Sequence, residues 1–193
     1  MLFNMLAGST SGGALQKILF PIVPEYIGYA NQLIEGEECF VGLKPLIENL
    51  NEWEFKYRVD FDNLKISSEV TALCLSRPTN PTGNVVSDKE MAHILEICRA
   101  NDLFLIVDHA YGNPFPGMIF TKTQEVWDSE RTIHLFSLSK FGLPAVRTGI
   151  VVGPEEVIER LSKINAILNL ASGSVGHHPF QSRLGKPTLL PCG

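Results

Sequence analysis

Lys140 closes the segment Ser137-Leu138-Ser139-Lys140, which follows the apolar run Ile133-His134-Leu135-Phe136 and precedes Arg147-Thr148-Gly149. A lysine placed where a buried strand opens into a glycine-containing loop has its charged form disfavoured by desolvation and by nearby cations. That frees the amine to attack a carbonyl carbon and form a Schiff base. The hydroxyls of Ser137 and Ser139 and the guanidinium of Arg147 are donors suited to a phosphate. Taken alone, a serine-flanked lysine after a strand is more often a solvated loop residue, so the chemistry depends on what converges with it.

Two other apolar runs end in the same manner. Thr71-Ala72-Leu73-Cys74-Leu75-Ser76 leads into Arg77-Pro78-Thr79-Asn80-Pro81-Thr82-Gly83, and Phe104-Leu105-Ile106-Val107 leads into Asp108-His109-Ala110-Tyr111-Gly112. Each reads as a buried parallel strand. Between them Ser87 and Glu90 form a capping box, and Met91, Ile94, Leu95 and Cys98 fall on one helical face. The result is a strand–helix–strand unit. Ligands of open parallel sheets sit outside the carboxyl ends of the strands, so Asn80, Asp108, Tyr111 and Lys140 are expected around one crevice.

The ordered set Asn80-Pro81-Thr82-Gly83, Asp108-x-x-Tyr111, Ser137-x-Ser139-Lys140 and Arg147-x-Gly149 resembles the motifs of the class I/II aminotransferases, pyridoxal-phosphate enzymes of fold type I. Pro24-Glu25-Tyr26-Ile27-Gly28-Tyr29 and Phe141-Gly142-Leu143-Pro144 extend the similarity, which runs to about Gly176. The fold implied is α/β, the three-layer α/β/α, mostly parallel sheet of the large domain of these transferases, here incomplete. Residues 1–176 would form part of that domain and residues 177–193 a divergent, irregular tail.

The resemblance implies pyridoxal 5'-phosphate as cofactor and assigns the residues. Lys140 bonds its aldehyde and shuttles the substrate's α proton, Asp108 faces the pyridine nitrogen, and Tyr111 and Asn80 reach the phenolic oxygen. Ser137, Ser139 and Arg147 hold the phosphate, and Tyr26 covers the ring. The implied activity moves an amino group between an aliphatic amino acid such as valine or alanine and a 2-oxo acid such as pyruvate, in a homodimer. Two alternatives share these residues: a truncated cofactor-binding module without activity, and a carbon–sulfur lyase of the same fold. Singly, each motif has a plainer reading: Asp108 as a turn cap, the Asn-Pro-Thr-Gly segment as a turn, Tyr26 and Tyr29 as packed aromatics.

Composition fits a globular enzyme domain. The 193 residues are 45% hydrophobic and 19% charged, with a formal net charge of −5. An acidic balance without a concentrated Lys/Arg run excludes a nucleic-acid partner, and no apolar run is long enough for a membrane span. Cys39, Cys74, Cys98 and Cys192 have no metal-like spacing and read as buried free thiols of a reducing compartment. His177-His178 lacks ligand-spaced companions, His109 and His134 read as packed or locally satisfied, and no metal is expected. The apolar start Met1–Ala7 lacks the basic lead of a signal peptide, which makes a cytoplasmic protein the expectation.

The elements that must position these groups read, in order, as a helix over 1–8, a strand over 17–23, a helix over 26–36 and a strand over 38–43. An irregular stretch over 45–60 and a short helix over 61–67 capped near Asp60 follow, then the three strand exits and a strand over 148–152. A last helix starts at Gly153-Pro154-Glu155-Glu156 with proline at its first position, burying Val157, Leu161, Ile164 and Leu168. By the same resemblance, an arm and a glycine/serine phosphate loop belong upstream of Met1. A small domain carrying the arginine for the substrate carboxylate belongs downstream.

Overall fold

Alternation of side chains divides the strands between two cores. Ile18, Phe20, Ala72, Cys74, Ile106 and Ile133 pack on one face of a sheet, while Leu19, Leu73, Leu75, Leu105 and Val107 pack on the other. A strand apolar at every position is buried on both faces, and this pattern belongs to a parallel sheet covered on each side. The computed structural model describes residues 1–114, 117–119 and 122–170.

In chain order the elements are α1 (Leu2–Leu6), β1 (Gly8–Ser9), β2 (Leu15–Phe20), β3 (Phe40–Gly42), β4 (Leu46–Asn49), β5 (Phe55–Arg58) and β6 (Val70–Ser76). Then come α2 (Asp88–Ala100), β7 (Phe104–Asp108), β8 (Thr132–Ser137), β9 (Gly149–Val152) and α3 (Glu155–Asn169). The main sheet runs β1-β2-β6-β7-β8-β9, with β3 also paired to β2. β3, β2, β6, β7 and β8 are mutually parallel, and β1 and β9 are antiparallel additions. The register pairs Ser76 with Asp108 and Asp108 with Leu135, so the exits of β6, β7 and β8 lie level.

α2 is the crossover between β6 and β7. Its capping box is formed, with the Ser87 hydroxyl accepting from the Glu90 amide and the Glu90 carboxylate accepting from Ser87 N–H at 2.9 Å. Met91, Ile94, Leu95 and Cys98 are buried against the sheet, as the spacing predicts. α1 packs on the opposite face, where Phe3 meets Tyr29 and Phe40 edge-on. Cys39, Cys74 and Cys98 are buried free thiols, and Cys192 lies outside the described residues together with His177, His178 and the expected tail.

Five local expectations are corrected. The first helix stops at Leu6, because Ala7 turns extended and Gly8 takes a φ of +111° to enter β1. Residues 26–36 hold only a 3₁₀ turn, Ile27–Asn31, which keeps Tyr26 and Tyr29, three residues apart, on one side. Residues 45–60 contain the antiparallel hairpin β4–β5, whose turn is tied by the Asn51 side chain accepting from the amides of Trp53 and Glu54. Residues 61–67 form a turn, since Asp60 accepts from Asn63 and stops there, leaving Phe61, Leu64 and Ile66 as isolated plugs on the core. In α3 only Val157 is fully buried, Leu161 packs partly buried on the core and Leu168 is 65% exposed, so the apolar stripe is covered in its first half only; Pro154 is its N-cap. Among the described residues no helix is long and apolar enough to cross a membrane.

Candidate active site

Each of the three level strand exits delivers its side chains through a different local device. After β6, the Thr79 hydroxyl donates to the Ser76 carbonyl, and Gly83, at φ +69°, donates its amide to the Thr79 carbonyl at 2.7 Å. This tight loop presents Asn80. Arg77 fastens it from behind: fully buried, it donates Nε to the Val86 carbonyl at 2.9 Å, one amino group to the Gln124 carbonyl at 2.8 Å, and the other to the Asp88 carboxylate.

After β7, Asp108 accepts from the Ala110 amide at 2.8 Å, an Asx turn that bends the chain so Tyr111 faces the same way. Gly112 is required here, because a Cβ on it would lie 2.4 Å from the Arg77 carbonyl oxygen. Asn80 Nδ2 lies 3.4 Å from the Tyr111 hydroxyl, a long hydrogen bond between two groups fit to share one acceptor. After β8, a 3₁₀ turn over Leu138–Phe141 is capped by the Ser137 hydroxyl and ends at left-handed Gly142. Leu138 is driven into the core while Ser137, Ser139 and Lys140 line the open side. Arg147, itself left-handed at φ +46°, donates to the Ser139 hydroxyl at 3.2 Å.

These exits enclose a cavity of about 330 Å³, and all eight residues singled out from the sequence line it: Tyr26, Asn80, Asp108, Tyr111, Ser137, Ser139, Lys140 and Arg147. Tyr26 forms an exposed wall, edge-on to Tyr29 with centroids 5.4 Å apart. One expectation fails. Lys140 is exposed, not desolvated, its Nζ held 5.2 Å from the Tyr111 ring centroid in a cation–π contact.

Asp108 is half-buried at the end of β7, and desolvation raises its carboxyl above the usual range, while the bonds donated by Tyr29 and Ala110 pull it back. Tyr29 donates to Asp108 at 2.6 Å and lies 3.1 Å from Ser76 Oγ. Glu25 accepts from the Ser76 amide at 2.8 Å, and its other oxygen is 2.7 Å from Ser76 Oγ; burial pushes this acid up to about 7. Sequence reading missed Glu25, Tyr29, Ser76 and Arg77 as functional neighbours. The signal available was a carboxylate beside two tyrosines just after a strand, with no charged partner nearby in sequence.

Behind Asp108, His109 Nε2 and His134 Nδ1 face each other at 2.9 Å, and His134 Nε2 is 3.1 Å from the Val126 carbonyl. The carbonyl fixes a proton on His134 Nε2, so His109 Nε2 donates to His134 and both rings are neutral. Burial drives His109 down to about 3. The two rings, with Glu125, bring ligand-type atoms within 4.8 Å of one another, but the facing nitrogens already spend their one shared proton on each other. His134 is thus locally satisfied, as expected, and both rings are packed, whereas the buried Nδ1 of His109 has no hydrogen-bond partner among the described residues.

The set of donors and acceptors fits pyridoxal 5'-phosphate. A half-buried carboxylate supplies one end, a phenol and an amide the side, and a primary amine, hydroxyls and a guanidinium the other end. Among the described residues neither Lys140 nor Arg147 has a carboxylate partner, as an anion site requires.

A family model for aminotransferase class I and II matches residues 47–177. The chain belongs to this family. It is 45% identical over 175 residues to the valine–pyruvate aminotransferase of Escherichia coli (strain K12), covering 91% of this chain and 42% of that relative. The crystal structure of the valine–pyruvate aminotransferase of Salmonella typhimurium LT2 superposes with a TM-score of 0.81 at 43% identity, again over 91% of this chain and 42% of that one. A PLP-bound structure from Clostridium difficile 630 shares the fold alone, with a TM-score of 0.65 at 19% identity over 87% of this chain and 42% of that one. The chain thus spans less than half the length of these aminotransferase relatives. Its α/β fold with a mostly parallel sheet is that of the aminotransferase class, whose members depend on pyridoxal phosphate.

Proposed function

We propose that this chain is the cofactor-binding part of a pyridoxal-phosphate-dependent aminotransferase that moves an amino group between an aliphatic amino acid, valine or alanine, and a 2-oxo acid, pyruvate. The observation that carries the reading is the meeting of Asn80, Asp108, Tyr111, Ser137, Lys140 and Arg147 around one cavity from three separate strand exits. Pyridoxal 5'-phosphate, when bound, supplies an aldehyde for covalent attachment of amines and a ring that accepts negative charge from the substrate carbon.

Within that reading, Lys140 would supply the amine that holds the cofactor and would carry a proton to and from the substrate's α carbon. Asp108 holds a proton on the ring nitrogen, because a carboxylate beside that nitrogen favours its charged form. Asn80 and Tyr111 donate to the phenolic oxygen. Ser137, Ser139 and Arg147 hold the phosphate, and Tyr26 shields one ring face from water. The identity with valine–pyruvate aminotransferases supports the substrate pair. A cytoplasmic homodimer is part of the same proposal.

The test is the visible spectrum of the purified chain after incubation with pyridoxal phosphate and desalting, with Lys140→Ala alongside, followed by valine and pyruvate and chromatography of the products. A retained band lost in Lys140→Ala, and alanine formed from pyruvate, is the expected result. A second reading is that the chain binds cofactor without turnover. Band without product selects that reading, and ammonia with a thiol released from a cysteine conjugate selects a lyase. No retained band refutes the cofactor site.

A further inference from the structure

Four oxygen atoms lead in a line to the cavity: Glu25 Oε2, Ser76 Oγ, Tyr29 Oη and Asp108 Oδ2, separated by 2.7, 3.1 and 2.6 Å. Every gap is a hydrogen-bond distance, and each link needs one proton between its oxygens. The hydroxyls of Ser76 and Tyr29 bring two protons to three links. A carboxyl at one end must bring the third. Either Glu25 is neutral and every bond points toward Asp108, or Asp108 is neutral and every bond points toward Glu25.

The surroundings of the two acids decide between these directions. Asp108 lines the cavity that Lys140 and Arg147 also line, and its second oxygen already accepts from the Ala110 amide, so its ionised form faces an open, polar space. Glu25 lies outside that lining. Around it stand the amides of Ser76 and Tyr26, the Ser76 hydroxyl, the buried Cys74 thiol and the Asp108 carboxylate, none of them a cation.

We propose that Glu25 is a positioning residue that holds the odd proton of this line, so that Glu25 donates to Ser76, Ser76 to Tyr29 and Tyr29 to Asp108, keeping Asp108 the carboxylate. Burial displaces both acids upward, and at Glu25, pushed to about 7, the neighbouring Asp108 carboxylate adds to the rise. The use made of Asp108 rests on the cofactor site proposed above, whereas the proton count belongs to the chain without cofactor. Ionising Glu25 would make it demand the Ser76 proton, leaving Ser76 and Tyr29 with opposed lone pairs and loosening the grip on Asp108.

Infrared difference spectroscopy of the cofactor-free chain, titrated from about pH 5 to about pH 9, reads the proton directly. The carbonyl band of a protonated carboxyl is expected at about pH 6 in the wild type, and its loss is expected in Glu25→Gln. A wild type without the band, or a band that survives Glu25→Gln and vanishes in Asp108→Asn, overturns the proposal. The positioning role is read from cofactor affinity. Glu25→Gln, whose amide N–H copies the donor, should bind within about twofold of wild type, and Glu25→Ala about tenfold more weakly, the loss of one buried hydrogen bond. Equal weakening in both variants overturns that role. If the Glu25 variants fail to fold by circular dichroism, Tyr29→Phe serves instead. It removes the two links beyond Ser76, so the midpoint of the Glu25 band should move to lower pH, and an unmoved midpoint overturns the proposal. A wild type that binds no cofactor refutes the proposed function, while the infrared result still decides the proton.

Discussion

Replacing Arg77 by lysine keeps the charge and removes the geometry. The guanidinium is fully buried and sends three N–H groups in three directions of one plane, to the carbonyls of Val86 and Gln124 and to the Asp88 carboxylate. A lysine ammonium is a single shorter-reaching point and cannot serve three acceptors spread around a planar fork. The Asp88 contact is the one it would keep, since Asp88 reaches toward solvent and is 42% exposed. The buried Val86 carbonyl is then left without a donor, at about 1–3 kcal/mol, and the part-buried Gln124 carbonyl at less, so the expected loss is about 3 kcal/mol. With a urea m value of about 2 kcal/mol/M, the unfolding midpoint should fall by about 1.5 M. Because Val86 and Gln124 anchor the loop that presents Asn80, affinity for pyridoxal phosphate should fall as well. A midpoint within about 0.3 M of wild type would mean the fork is not what secures this loop.

Gly112→Ala should destabilise by about 1–3 kcal/mol in the same urea assay, because its methyl would press on the Arg77 carbonyl at 2.4 Å, and backbone must move to admit it. Ser87→Ala removes the hydroxyl that caps α2 and should cost about 1 kcal/mol, with cofactor affinity unchanged. His109 is held down to about 3 in the folded chain, whereas a free histidine titrates near 6.5, so the unfolded state takes up a proton that the folded state refuses. Its contribution is therefore present above about pH 6.5 and lost as pH falls toward about 3, and His109→Phe should flatten that part of the stability–pH curve. An unchanged slope in the variant would place the acid sensitivity elsewhere.

The strands that carry the site were legible because each is apolar over its whole length and stops at a turn residue with a chemical side chain. That pairing of signals marks Asn80, Asp108 and Lys140, which all line the cavity. α2 was legible for a separate reason, since Ser87 and Glu90 mark its start and four apolar residues its buried face. What escaped depended on distant partners. Tyr29 and Ser76 are 47 residues apart, and Glu25 and Ser76 are 51 apart, so no local pattern links them. The hairpin β4–β5 escaped because Leu46, Ile47 and Phe55 are exposed, which erases the alternation by which a half-buried strand is recognised. The 26–36 segment has helical spacing but spends Tyr29 on Asp108, a bond that a regular helix there did not have to satisfy. The exposure of Lys140 was hidden because sequence shows what a residue follows, not which side of a turn stays open to water.

The level exits of β6, β7 and β8 have a bearing on how errors in this protein are exposed. Side chains alternate along each strand, so sliding β7 by one residue against β6 would send Leu105 and Val107 to the wrong face and carry Asp108 out of reach of Tyr29 in the same movement. A misaligned chain cannot keep a sound core and a broken site, nor the reverse. Binding of the cofactor would therefore act as a check on strand alignment across the sheet, and substitutions deep in the apolar strands should surface first as weakened ligand binding.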